Sequence, residues 1–223
     1  MKAALLLLAS SAAFAAPPKG YSIVPKSTSP DGKLAVIAPD TQAQPTKDSH
    51  DDKLIEVATG KVVATLVSPT AAIHDSEVEL EPRWSADGSL LEWYVDGKWG
   101  SYALVLVRVD HGAVTSQIDV RELAVHEVLA EVQRSHAAAA AAAKREGAQS
   151  GWWFRDGLAI DVKPAGITMT NDGPTIPRPA KLPLAFDVTY TSNPKSLDTY
   201  PAAAIVDGTL AVAIDEQGKL VRK

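Results

Sequence analysis

Along the first half of the chain, apolar and polar positions follow the two-residue period of half-buried strands. Residues 21–24, 33–38, 54–58, 62–67, 78–84, 90–95, 102–109 and 114–118 are runs of this kind, rich in Val, Ile, Leu and aromatic residues. Turn chemistry falls between them: Ser29-Pro30-Asp31-Gly32, Thr59-Gly60-Lys61, Ser85-Ala86-Asp87-Gly88, Asp96-Gly97 and His111-Gly112. Proline suits the second position of a tight turn and glycine supplies a positive φ. Short β-rich runs joined by Gly-containing turns predict antiparallel hairpins.

The period changes at Asp119. Leu123, Val125, Val128, Leu129 and Val132 recur at helical spacing, and the alanines of 137–143 continue the helix because Ala has the best intrinsic propensity. Asp119 with Glu122 three residues on reads as a capping start, Lys144 and Arg145 suit the negative end of the helix dipole, and Gly147 is a natural stop. One long helix near 119–147 is expected, about 42 Å at 1.5 Å per residue, with one end overhanging a small sheet. Strand patterns return at 152–155, 158–163, 167–170 and 184–191. A hairpin is expected over Asp207-Gly208, between 203–206 and 210–214, and a last strand near 219–221. Four prolines in 172–183 (Pro174, Pro177, Pro179, Pro183) predict an extended connector. The fold class expected is β-dominated α+β, with antiparallel meanders and one long helix. The division is 1–15 leader, 16–118 meander, 119–147 helix, and 148–223 a C-terminal β segment packing on the helix or the first sheet.

A repeat lies in the first half. Ser29-Pro30-Asp31-Gly32-Lys33-Leu34 and Ser85-Ala86-Asp87-Gly88-Ser89-Leu90 share S-x-D-G-x-L, with Leu54-Ile55-Glu56-Val57-Ala58-Thr59-Gly60-Lys61 between them. Trp84 precedes the second copy. This order resembles the WD40-like (PD40-type) blades of β-propellers such as the periplasmic TolB family, in which a W-S-P-D-G-K turn joins two strands and a later strand ends in Thr-Gly-Lys. The resemblance covers about 20–118 and holds at most two blades, fewer than the roughly four that close a ring. It therefore implies blade-like meanders and not a closed propeller. It transfers no catalytic residue, because such blades carry no common active site.

Composition adds a compartment. Lys2, the apolar run 3–9 and Ala13-Phe14-Ala15 are the three parts of a secretory signal peptide, with cleavage expected before Ala16. The run is shorter than the about 20 residues a membrane helix needs. The expected location is the periplasm or the medium, with no membrane association after removal of the leader. The chain has no cysteine, so thiol nucleophiles, thiolate metal sites and disulfides are excluded. A formal charge of −5 argues against a nucleic-acid partner.

Candidate chemistry is sparse. His50-Asp51-Asp52 and His74-Asp75 offer metal-ligand types without metal-site spacing, and read as solvated loops. His126 and His136 are ten residues apart on the helix, without the i,i+4 pairing of a zinc motif. There is no G-x-S-x-G elbow and no phosphate-binding glycine loop. Glu77, Glu79 and Glu81 alternate as the solvated face of a strand, and Asp215/Glu216 likewise form no recognisable glycosidase pair. No catalytic residue, cofactor or metal site is assigned. The aromatic residues Trp93, Trp99, Tyr102, Trp152 and Trp153 are the candidate binding surface, either a platform for a saccharide or anchors for another protein. Adjacent Trp93-Tyr94 and Trp152-Trp153 point to opposite sheet faces, so at least one of each pair belongs to the core. The expected function is a non-catalytic binding or protein-interaction module. The alternative is a secreted hydrolase or carbohydrate-active protein with a site the sequence does not display.

Overall fold

The structure, a computed structural model, describes residues 15–40, 51–66, 78–97, 100–146, 154–155, 157–170, 173–175, 177–179, 181–192 and 205–223. Two meanders come first. Strands β1 (Tyr21–Ile23), β2 (Leu34–Pro39), β3 (Lys53–Glu56) and β4 (Val62–Thr65) form a four-stranded sheet in chain order, each neighbouring pair antiparallel. Strands β5 (Val78–Trp84), β6 (Leu90–Gly97), β7 (Gly100–Asp110) and β8 (Ala113–Asp119) repeat that arrangement. The His111-Gly112 corner has positive φ at both residues (49° and 79°), as a two-residue type I′ hairpin requires. Pro82 sits on edge strand β5, where a missing N–H breaks no ladder. Asp96 and Gly97 continue β6 rather than turning, and the chain reverses between Gly97 and its partner Gly100.

The C-terminal segment makes its own sheet, in the order β15 (Leu220–Arg222), β14 (Asp207–Ile214), β13 (Leu184–Ser192), β10 (Leu158–Pro164), β9 (Phe154–Arg155), again antiparallel. Strand β11 (Thr168–Thr170), at the expected 167–170 run, forms a small hairpin with β12 (Gly173–Thr175), which lies within the stretch expected to be plain connector. None of these sheets closes on itself, and the molecule is a β-dominated α+β protein. No helix among the described residues is long and apolar enough to cross a membrane.

Two cores sandwich the second sheet. Leu34, Val36 and Leu54 of the first sheet meet Trp84, Leu91, Trp93, Val105 and Val107 of the second. The opposite face of the second sheet presents Leu90, Tyr94, Leu104 and Leu106 to the helical segment and to Ile160, Val162, Phe186, Val188, Val212 and Ile214 of the third sheet. The C-terminal segment thus packs on both the helix and the second sheet. Burial on both faces explains why β6 and β7 read as nearly continuous apolar runs.

The helical segment begins as expected, with the Asp119 carboxylate accepting the Glu122 backbone N–H at 2.9 Å. It is divided into α1 (Val120–Ser135) and α2 (Ala137–Glu146) at His136, whose φ of −139° and ψ of 50° leave the helical region. The buried stripe of α1 is Val120, Arg121, Ala124, Val125, Val128 and Val132, while Leu123 is exposed. The break keeps the alanine tract on the protein: Ala139 of α2 enters the same core as α1.

Asp207-Gly208 is the clearest departure from the sequence pattern. Both residues lie within β14, paired with Thr191 and Tyr190 of β13. Gly208 serves close approach and not a turn, because a Cβ there would stand 2.4 Å from the Tyr190 hydroxyl oxygen and 2.5 Å from its Cζ. Gly208→Ala is therefore expected to destabilise by about 1–3 kcal/mol through overpacking. Urea unfolding of Gly208→Ala in the Tyr190→Leu background checks this: the penalty should largely vanish there, and remain in the Tyr190→Phe background.

Candidate functional site

The two S-x-D-G corners share one set of hydrogen bonds, to which the first adds a Lys33–Asp31 ion pair at 3.1 Å and the second a bond from the Ser89 hydroxyl to Asp87 Oδ1 at 2.8 Å. In the first, the Ser29 hydroxyl donates to Asp31 Oδ1 at 2.7 Å and accepts the Leu34 N–H at 3.0 Å, while Asp31 Oδ1 also accepts the Lys33 N–H at 3.1 Å. In the second, the Ser85 hydroxyl donates to Asp87 Oδ1 at 2.6 Å and accepts the Leu90 N–H at 2.9 Å, and Asp87 Oδ1 accepts the Ser89 N–H at 3.0 Å. Backbone bonds from Ser29 to Leu34 O and from Ser85 to Leu90 O, both 2.8 Å, close each corner. Gly32 and Gly88 hold φ of 74° and 73°. The spacing is what the chemistry needs: a short hydroxyl and a carboxylate two residues apart satisfy the turn's own N–H groups.

The same bonds set the electrostatics. The Ser85 hydroxyl, then the Ser89 backbone N–H, hold the Asp87 carboxyl down at about 2, and Ser29 with Lys33 lowers Asp31 in the same way. A depressed carboxylate stabilises the fold above its unfolded value of 3.8 and loses that contribution as pH falls toward its folded value. In Ser85→Ala, an NMR titration should find Asp87 moved up toward the ordinary carboxylate range. An unchanged Asp87 titration would mean that the hydroxyl bond does not form.

The corners stand side by side: a Cβ on Gly88 would lie 3.6 Å from Pro30 Cδ. The sheets are tied at this end by the Trp84 indole, which donates to Ser27 O at 2.8 Å. Two clefts flank the first corner. One, about 360 Å³, is lined by Ser29, Asp31 and Lys33, by Asp87 and Ser89, and by the Asp110–His111 turn. The other, about 440 Å³, is lined by Lys26, Thr28 and Pro30 of the β1–β2 connection, by Pro82, Arg83 and Trp84 of β5, and by Arg178. The first is rich in carboxylates; the second has three cations and no carboxylate in its lining.

Arg83 was not singled out by the alternation of Glu77, Glu79 and Glu81. Its side chain is only 10% exposed and is ion-paired with Glu92 directly across the strand pair, itself 3% exposed. Burial pulls the Arg83 guanidinium down to about 10, against the opposing pull of Glu81. The signal was present in the register: once Ser85–Leu90 is a corner, Arg83 must face Glu92. Beside it the Tyr94 ring lies 5.8 Å from the guanidinium carbon, and burial, with Asp96 next, raises the Tyr94 hydroxyl above its ordinary range.

The aromatic residues expected at a surface are placed differently. Trp93 is fully buried between the first and second sheets, where its indole donates to the buried Asp52 carboxylate at 3.2 Å, and Tyr102 is buried in the same core. Neither can serve as a platform. Trp99, Trp152 and Trp153 lie outside the described residues. Asp52 is thus a core acceptor, and His50, His74 and Asp75 are also outside the described residues. His126 stands 3.6 Å from Glu122 on the exposed side of α1, and His136 marks the helix break. Among the described residues, no three His, Asp or Glu side chains converge as a metal site.

Comparison of the chain with protein-family models, with curated proteins and with solved structures gives no match in any of the three.

Proposed function

We propose that this chain is an exported, non-catalytic binding module in which two WD40-like, blade-like sheets present a ligand-binding end at their paired S-x-D-G corners. The observation that carries the reading is the duplicated corner: each Asp and Ser is consumed in holding its own turn, so the shared end is a rigid framework and not a proton-transfer site. The leader pattern at 1–15 fits an extracytoplasmic protein. The ligand falls within the classes set out above, another protein or a saccharide.

The test has two arms. Expressed in a bacterium, the full chain should appear outside the cytoplasm with Ala16 as its N-terminus. The purified mature protein should bind saturably to a component of an array of cell-envelope glycans and proteins, without turnover of ester, peptide or glycoside substrates. Retention in the cytoplasm with Met1 intact overturns the exported reading. Turnover abolished by a single substitution establishes the hydrolase alternative instead.

A further inference from the structure

We infer that the cleft between the β1–β2 connection and edge strand β5 binds a small oxyanion, a carboxylate or phosphate group, held between Lys26 and Arg178 with Arg83 behind them. This names the ligand chemistry of the binding end and rests on the binding-module reading above.

The first observation is charge. In a chain of net charge −5, this cleft gathers Lys26, Arg83 and Arg178 and no acidic side chain in its lining. The three come from segments far apart in sequence, so no local run of basic residues accounts for the grouping. Lys26 and Arg178 are exposed, and neither forms an ion pair with a described residue. Arg83 shares its charge with Glu92, but none of the described residues accepts from its Nε or Nη1. Arginine and lysine donors are the usual hydrogen-bonding partners of carboxylates and phosphates, and the planar arginine fork can bind two oxygens at once.

The second observation is backbone. Ser27 N–H donates to Val24 O at 3.2 Å, closing a turn with Pro25 and Lys26 at its centre. Lys26 has φ of 61°. Proline followed by a residue of positive φ is the type II pattern, whose third position favours glycine or asparagine. A lysine is held where the backbone prefers glycine, and it is held at the mouth of the cleft. Positive φ at a residue with a side chain is uncommon, and such residues gather at ligand sites. His111, the other such residue, is accounted for by its two-residue hairpin. At Lys26 the type II turn sets the positive φ, and the residue that fills it is a cation and not the glycine or asparagine the turn favours.

The oxyanion has two sources, a carboxylate on an organic ligand or a phosphoryl group, and the experiment separates them. Purified mature protein is titrated with succinate and, separately, with inorganic phosphate. Binding is followed by calorimetry and by thermal shift, with chloride at matched ionic strength as the reference. At least one oxyanion should bind saturably, and the one that binds identifies the source. Lys26→Gly should weaken binding about tenfold, as should Arg178→Gln, in keeping with the loss of one charge-assisted bond. Lys26→Gly should also leave the melting temperature unchanged or raised, because glycine relieves the positive φ. Lys33→Gln, in the neighbouring cleft, should bind as the parent does. Absence of saturable binding by both oxyanions overturns the inference, and so does parental affinity in both cleft variants. Failure of oxyanion binding without substrate turnover removes only this inference; turnover of a substrate removes the binding-module reading itself.

Discussion

Trp93→Ala is expected to lower stability by about 3–5 kcal/mol, the range for truncating a buried aromatic residue. Among the described residues Trp93 is the largest fully buried side chain, and it lies where the first and second sheets meet. Truncation opens a cavity against Leu54 and Val36, and collapse is limited because both sheets are fixed by their own corners. It also removes the indole donor from Asp52, which is fully buried. Trp93→Phe separates the two effects: it keeps most of the ring volume and loses the N–H, so about 1–3 kcal/mol is expected. Urea midpoints with an unchanged m-value would show that stability, and not the extent of unfolding, has altered.

Glu92→Ala is expected to destabilise by about 3–5 kcal/mol, because it leaves the buried Arg83 guanidinium without its counter-charge. Removing both charges has a different outcome. In Arg83→Met with Glu92→Leu, the desolvation penalty on both partners disappears, and stability should return to near the parent value or above it. A double-mutant cycle from urea unfolding measures this directly, with a coupling large enough to stand clear of the usual additivity error of about 0.5 kcal/mol. Additive single effects would show that the two side chains do not form a buried pair.

The elements that were legible in the sequence are those fixed by local chemistry. The two S-x-D-G corners and the Asp119 cap each depend on side chains bonding their own turn, within five residues, and the His111-Gly112 hairpin depends on positive φ at two adjacent residues. The antiparallel pairing of β3 with β4 and of β5 through β8 follows, since their short connections leave no other pairing. What was not legible depends on contacts distant in sequence. Trp93 and Tyr102 looked like a surface because strand alternation alone does not reveal that the second sheet is covered on both faces. Asp207-Gly208 carries turn chemistry, yet Tyr190 across the ladder is the reason for its glycine. The alanine tract has the propensity for one straight rod, and the break at His136 follows from keeping Ala139 against the core. The cationic cleft is of the same kind: Lys26, Arg83 and Arg178 meet only after the sheets have packed.

The central claim is that the two repeated corners build two sheets that stack face to face through one core. Two indole groups cross that junction, Trp84 to Ser27 O and Trp93 to Asp52 Oδ2. Hydrogen exchange of the two indole N–H groups, followed by NMR under native conditions, tests the stacking at both points. The account predicts that both exchange slowly and with the same free energy, through shared unfolding of the two sheets. Rapid exchange of either indole while the strand amides of its own sheet stay protected would show sheets that fold without stacking, and would contradict it.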